Sequence, residues 1–438
     1  MTTRGAGDAQ RPNILFFLPD QHRPDWTGAN PALPLRLPQL DALAARGVRF
    51  TQAVTPSPLC APARACLASG RDYAGCGVAD NGDDYPVQQP TYYQALRDGG
   101  YRVAGVGKFD LHKATMDWGL DGSRLIDTWG FTEGIDNEGK MDAIASGAAA
   151  PKGPYMAYLW QRGLAAAHVA DFRARRNRGT DPTPLPEEAY CDNWIAENGL
   201  RFLRDFPRQQ PWHLVVNFTG PHSPFDVTAS MRARWADAGF PAPVDNTQDL
   251  AADEHQAIRQ NYAAMLENID RQIGRFLEVV AERGELERTL VVYSSDHGEM
   301  LGDHSRWGKS TYYQASAGVP LVVAGPGVQR GVTSGALVSM HDLAATFLEL
   351  AGRPALPEME SRSLAPLLRG ERAAHREVVR SGLNNWRMVS DGRYKLVHDQ
   401  REDGRTEVIL FDRQQDPLER TNAAPSAPAE VARLTPLL

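Results

Sequence analysis

Acidic, imidazole and amide side chains recur in this chain just past short apolar runs. Asp20 and Gln21 follow NILFFL at 13–18, and Lys108, Asp110 and His112 follow the run at 102–107. His222 follows HLVVNF at 213–218, and Asp296 and His297 follow TLVVYSS at 289–295. Short runs that are apolar throughout read as strands buried on both faces of a parallel sheet. In open α/β sheets ligands bind outside the carboxyl ends of such strands, so these groups converge on one crevice. Singly, Asp20 or Asp296 reads equally well as a loop start or a helix cap; the repeated placement is what points to a site. Asp20, Gln21, Asp296 and His297 offer three oxygen-type groups and one imidazole. That donor set suits one divalent cation, Ca2+ by its oxygen content, with Mn2+ allowed by the imidazole.

The segment SPLCAPARACLASGR at 57–71 carries a second kind of chemistry. Cys60 stands two residues before Pro62, which suits the first turn of a helix. A helix N-terminus presents unpaired N–H groups and partial positive charge, and so favours an anion. Arg64, four residues on, shares a helix face with Cys60. A Cys-Pro turn with a surface arginine has the same spacing, so the segment gains meaning only from the rest of the chain.

Helical stretches at 37–46, from Cys60 to near Gly70 and at 92–98 alternate with extended runs at 48–54 and 102–107. This alternation is the pattern of a doubly wound α/β sheet. Residues 115–185 are rich in Gly, Pro, Trp and charge; they read as loops and short helices, without sheet, forming a substrate rim. Helices are expected at 187–205 and roughly 253–283, a buried strand at 319–325, and a helix at 343–351 with Asp342 as its N-cap. From 376 onward, short strand-like pieces separated by turn residues read as a small antiparallel sheet. The expected organisation is a catalytic α/β domain over 1–375 and a C-terminal subdomain over 376–438.

Of the 438 residues 42% are apolar and 23% charged, which excludes a disordered or fibrous chain. The net charge of −7 leaves no electrostatic footprint for nucleic acid. No apolar run approaches the about 18 residues that span a membrane. Four cysteines are too few for a disulfide framework, and residues 1–12 lack the apolar stretch of a secretory leader. Both features read as cytoplasmic.

Cys60-x-Pro62-x-Arg64 followed by Leu67-Ala68-Ser69-Gly70-Arg71 resembles the signature of the type I sulfatases, within the alkaline phosphatase superfamily. The resemblance covers most of the chain. It includes PNILFFLPDQHRPD at 12–25, Gly107-Lys108, Gly220-Pro221-His222-Ser223-Pro224 and SSDHGEMLGDHSRWGKS at 294–310. Near the end it includes GRYKLV at 392–397 and LFDRQQDPLERTNAA at 410–424.

The resemblance implies an alkaline-phosphatase-like fold and hydrolysis of a small-molecule sulfate ester. It implies that a formylglycine-generating enzyme oxidises Cys60 to formylglycine, whose hydrate is the nucleophile. Asp20, Gln21, Asp296, His297 and the modified Cys60 would surround one metal. Arg64 would hold the hydrate, Lys108 and Lys309 would neutralise the sulfuryl oxygens, and Asn81 would contact the same group. His222 would protonate the leaving oxygen. Many sulfatases carry histidine two residues after the Gly-Lys lysine; here Asp110 stands there, and His112 two further on. On an extended segment Lys108, Asp110 and His112 share one side. That makes His112 the base for sulfate release, with Asp110 orienting it. His304 and Trp307 lie near Lys309 in sequence and border the pocket or pack beside it. Formylglycine-dependent phosphonate monoester hydrolases and phosphodiesterases share this set and form the alternative. An unmodified binding protein of the same fold is a third reading, disfavoured by the joint presence of the Cys-Pro-Arg, Lys, His and Asp-His elements.

Overall fold

The computed structural model describes residues 11–175, 178–247 and 250–438. Residues 1–10, which make up most of the segment read for a leader, lie outside the described residues. Eight strands form the central sheet: β1 (Asn13–Phe17), β2 (Gly47–Val54), β3 (Arg102–Gly107), β4 (Glu133–Asp136), β5 (Trp212–Asn217), β6 (Thr289–Tyr293), β7 (Leu321–Ala324) and β8 (Val332–Ser339). Their order across the sheet is β4-β3-β5-β1-β6-β7-β2-β8. The strands from β4 to β6 pair in parallel, and so do β2 and β8. β7 runs antiparallel to both of its neighbours.

Strand β1 shows why the sheet is covered twice. Ile14 and Phe16 point into one apolar core, and Leu15 and Phe17 into the other, as the two-residue period of a strand requires. Helices Pro38–Arg46, Cys191–Asp205 and Ala252–Glu282 pack on the Leu15 face; helices Cys60–Ser69, Tyr92–Asp98 and Asp342–Leu350 pack on the Ile14 face. The fold is the doubly wound, mostly parallel α/β class expected from the sequence.

A second, antiparallel sheet has the order β12-β11-β10-β9, from β9 (Val379–Leu383), β10 (Trp386–Ser390), β11 (Tyr394–Gln400) and β12 (Thr406–Asp412). It docks on the main body where Trp386, Met388 and Phe411 pack with Val54, Tyr312 and Leu337. Among the described residues, no helix is long and apolar enough to cross a membrane.

Three details differ from the sequence reading. β4 lies inside the 115–185 segment read as free of sheet, and no apolar run marks β8. These are the two edge strands, half-solvated and interrupted by Gly134 and Gly335, so neither shows the continuous apolar run of a central strand. Asp342 is the first helical residue and His341 the N-cap. The Asp342 carboxylate instead accepts the Ser339 and Arg362 N–H groups and pairs with Arg376.

Buried carboxyls anchor the rim. Asp136 accepts the Phe109 N–H, and Glu138 accepts the N–H groups of Tyr155 and Met156 in the first turn of helix Pro154–Gln161. Burial pushes the Glu138 carboxyl up from 4.5 to about 7. A raised acid binds protons more tightly when folded. Its contribution to stability is therefore full below about 4.5 and is lost as pH rises through about 7. Glu138→Gln should flatten this part of the stability profile, read by denaturant unfolding from about pH 5 to about pH 8. An unchanged slope in the variant contradicts the assignment.

Candidate active site

Strand β2 leads into helix Cys60–Ser69, whose ten residues are all buried. The N-cap residue Leu59 offers no side-chain cap, and Asn81 Oδ1 accepts the Ala61 N–H at 3.1 Å instead. Cys60, the first helical residue, faces the ends of β1 and β6. Its Sγ lies 2.8 Å from Lys309 Nζ, 3.4 Å from His297 Nε2 and 3.8 Å from Asp20 Oδ1. Burial and Asp20 push the thiol up, but Lys108, Lys309 and His297 outweigh them and hold it well below its ordinary range. The position is built for an anion.

Asp20 and Asp296 follow β1 and β6, and both are fully buried. Arg64 Nε donates to Asp296 Oδ2 at 3.0 Å, and its other end lies 3.8 Å from Asp20 Oδ2. Arg64 also donates to the Lys108 carbonyl and to Asn217 Oδ1. Lys108 Nζ donates to Asp20 and lies 3.0 Å from Asp110. Gly107 precedes it at φ 106°, and a Cβ there would collide with the Asn217 carbonyl oxygen, so glycine is a steric requirement ahead of Lys108. Burial alone would raise the Asp20 carboxyl; Lys108, Lys309, His222 and His297 carry it well below the usual carboxylate range.

Asp20, Cys60, Asp296 and His297 present ligand atoms within 4.8 Å of one another. His297 turns Nδ1 to the Gly298 carbonyl at 3.1 Å and leaves Nε2 3.6 Å from both Asp20 Oδ1 and Asp296 Oδ2. Two buried carboxylates and one imidazole at this spacing fit a single divalent cation of the Ca2+ or Mn2+ type.

Gln21 sits at φ 73°, a region that non-glycine residues occupy only when held there. Its N–H donates to Asp296 Oδ1 at 3.0 Å, and its carbonyl accepts from Tyr262 at 2.7 Å. The Gln21 amide nitrogen donates to Glu299 Oε2, which leaves Gln21 Oε1 to accept from Lys309 Nζ at 2.7 Å. The other Glu299 oxygen accepts the Leu301 and Gly308 N–H groups at 2.9 and 2.6 Å. Glu299 thus aims Gln21 and anchors the loop that presents Lys309. Neither Glu299 nor Asn217 was read from the sequence. Asn217 carried the same signal as Asp20, a polar residue closing an apolar strand.

The remaining expected residues divide. His222 lies close enough to Asp20 for its charge to lower that carboxyl, and its Nδ1 meets the Ser223 carbonyl. Lys108, Asp110 and His112 do not form an extended segment. Asp110 adopts φ 52°, which breaks the alternation, and its carboxylate faces Lys108 and Lys113. His112 turns to Asp84 at 3.6 Å and to the ring of Trp129, so Asp110 does not orient it, and among the described residues no contact joins it to Cys60. His304 stacks on Tyr313 at 4.2 Å and reaches the Leu418 carbonyl. It lines a cavity of about 390 Å³ that shares no lining residue with the one bordered by Trp307. Trp307 lines that other cavity with Ser223 and Gly308, next to His222 and Lys309.

A mostly parallel sheet whose strand ends gather two buried carboxylates, an imidazole, cations and a cysteine defines an α/β fold with a site able to receive a divalent cation and an anion. Comparison narrows this class. Residues 12–353 match the family described as Sulfatase, and residues 302–433 match that described as N-sulphoglucosamine sulphohydrolase, C-terminal. The chain belongs to the sulfatase family and is a sulfuric ester hydrolase, which sets aside the reading as a binding protein. It is 28% identical to a choline-sulfatase of Rhizobium meliloti, over 97% of this chain and 85% of that one. It is 26% identical to an arylsulfatase of Clostridium perfringens, over 94% of this chain and 90% of that one. A phosphonate monoester hydrolase from Agrobacterium radiobacter shares the fold with a TM-score of 0.79 at 24% identity, over 97% of this chain and 94% of that one. One from Silicibacter pomeroyi gives 0.80 at 24% identity with the same coverage.

The Glu299 geometry carries a test. A buried donor left unpaired costs about 1–3 kcal/mol. Glu299→Ala should therefore lower unfolding free energy measurably, while Glu299→Gln, which keeps an acceptor oxygen, should lose less. Equal stability of the three proteins contradicts the anchoring role.

Proposed function

We propose that the protein hydrolyses sulfate monoesters through a formylglycine made from Cys60, with one divalent cation, Ca2+ by donor type. The observation that carries this reading is the convergence of Lys309, His297 and Asp20 on Cys60 Sγ. Asp20, Asp296, His297 and the Gln21 amide oxygen would hold the cation, which would neutralise the anionic ester. Formylglycine would supply, as its hydrate, one hydroxyl as the nucleophile and a second for release of sulfate.

The chain's own side chains do the rest. Lys309 and Lys108 flank the position of Sγ and offset negative charge on the sulfuryl oxygens. Arg64 fixes Asp296 and would hold the hydrate. The Asn81 side-chain oxygen is spent on the Ala61 N–H, so any contact with the sulfuryl group falls to its amide nitrogen. The Ser223 carbonyl can only accept, so His222 Nδ1 carries hydrogen, and a proton moves to the leaving oxygen from Nε2. Among the described residues the imidazole against Cys60 is that of His297, assigned here to the cation, and none takes the base role expected for His112. Lys113, facing Asp110, adds positive charge on that side.

Peptide mass spectrometry of active protein should find an aldehyde or its hydrate at residue 60. Full turnover by protein whose Cys60 is entirely a thiol overturns the nucleophile. Asp296→Ala should lose bound metal and nearly all turnover. His222→Ala should lose about 10²–10⁴-fold with a poor alkyl leaving group and less with nitrophenol. Side-by-side rates on an aryl sulfate, a phosphonate monoester and a phosphodiester should favour the sulfate. Preference for either phosphorus ester would make the alternative the correct one.

A further inference from the structure

Resting on the sulfatase reading, we propose that the alcohol part of the natural ester is itself anionic, bearing a carboxylate or a second sulfate that Arg178 receives. The cavity beside the catalytic groups measures about 770 Å³, within the range of about 300–1,000 Å³ usual for organic ligands. Gly308 and Ser223 adjoin Lys309 and His222 in the chain, and Glu299 on the lining bonds Gln21, so the cavity borders the catalytic groups. Phe225, Leu250 and Ile258 give it apolar walls.

Its charges are unevenly committed. Arg175 is bidentate to Asp171 and also donates to the Gly179 and Asp181 carbonyls, which fixes the loop carrying Arg178. Glu254 caps its own helix at Ala251, and Glu299 is engaged by Gln21, Leu301 and Gly308. Arg178 forms no ion pair among the described residues. Its guanidinium lies 5.2 Å from the centre of the Trp307 ring, which is stacked with His255. Stacking holds the planar group in place and leaves its N–H edge available for bidentate binding of an oxyanion. A quaternary ammonium group would meet this cation; the Asp181 carboxylate on the same lining is 94% exposed, screened by water and 3.9 Å from Arg232, so it offsets little. The cavity therefore selects against cationic alcohols.

The test compares three sulfate esters: para-sulfooxybenzoate, its methyl ester and choline sulfate. Wild-type protein carrying formylglycine should favour the benzoate over its methyl ester through KM, and should turn over choline sulfate least efficiently. Arg178→Ala, an exposed substitution, should erase about ten- to a hundredfold of the benzoate preference, the range expected for a charge-assisted hydrogen bond. Arg178→Lys should keep only part of it. Comparing the ratio of the two aryl esters between proteins cancels their difference in leaving group. Calorimetry with the product para-hydroxybenzoate should show the same loss without any chemistry. Turnover of all three esters with an unchanged ratio in Arg178→Ala, or with choline sulfate favoured, overturns the inference alone. No turnover of any ester brings down the sulfatase reading and the inference with it.

Discussion

Two fully buried carboxylates, Asp20 and Asp296, share one cluster, and the rest of the site is arranged to make that tolerable. Like charges in a dry interior repel strongly unless cations stand among them. Arg64 bridges toward both, Lys108 binds Asp20, and Lys309 stands 3.8 Å from Asp20. These cations come from three different places: the helix after β2, the end of β3 and the loop after β6. Each element is thus positioned twice, by its apolar face against the sheet and by its charge against the cluster. A divalent cation would complement the same carboxylates, which the sheet order brings together by setting β1 beside β6.

Much of this was legible in the sequence because central parallel strands announce themselves. NILFFL and TLVVYSS are apolar on both faces, and the polar residues that close them can only sit at the sheet's edge. The Cys-x-Pro-x-Arg segment was equally legible, since helix periodicity puts Cys60 and Arg64 on one face. The edge strands β4 and β8 were not legible, because a strand half in water needs no continuous apolar run. His112 failed for a different reason. Its assignment assumed a two-residue alternation, and the left-handed backbone of Asp110 breaks that alternation at the one residue between Lys108 and His112 on that face. Local sequence did not announce the turn, because aspartate is tolerated in that conformation without requiring it.

Glu299 was missed because its partners are made by tertiary structure. Its two oxygens serve Gln21, 278 residues away in sequence, and the Leu301 and Gly308 N–H groups close by. No periodicity encodes such a contact. Gln21 in turn holds a strained backbone only because Asp296 and Tyr262 grip both sides of its peptide. The strain sits where the Gln21 side chain meets Glu299 and Lys309.

The segment from Asp296 to Lys309 joins the chemistry to the choice of substrate. It begins with Asp296 and His297, passes through Glu299, and ends with Trp307 beside the cavity and Lys309 at Cys60. A change in this loop disturbs both functions together, since Glu299 ties its two ends through Gln21 and Gly308. The facing loop at 178–181 is fixed independently, by Arg175 and Asp171, and none of its residues touches a catalytic group among the described residues. Arg178 can therefore change without disturbing the cluster that performs hydrolysis. The molecule separates a charged centre, whose carboxylates are held by Arg64, Lys108 and backbone N–H groups, from one guanidinium over an aromatic ring that forms no ion pair among the described residues.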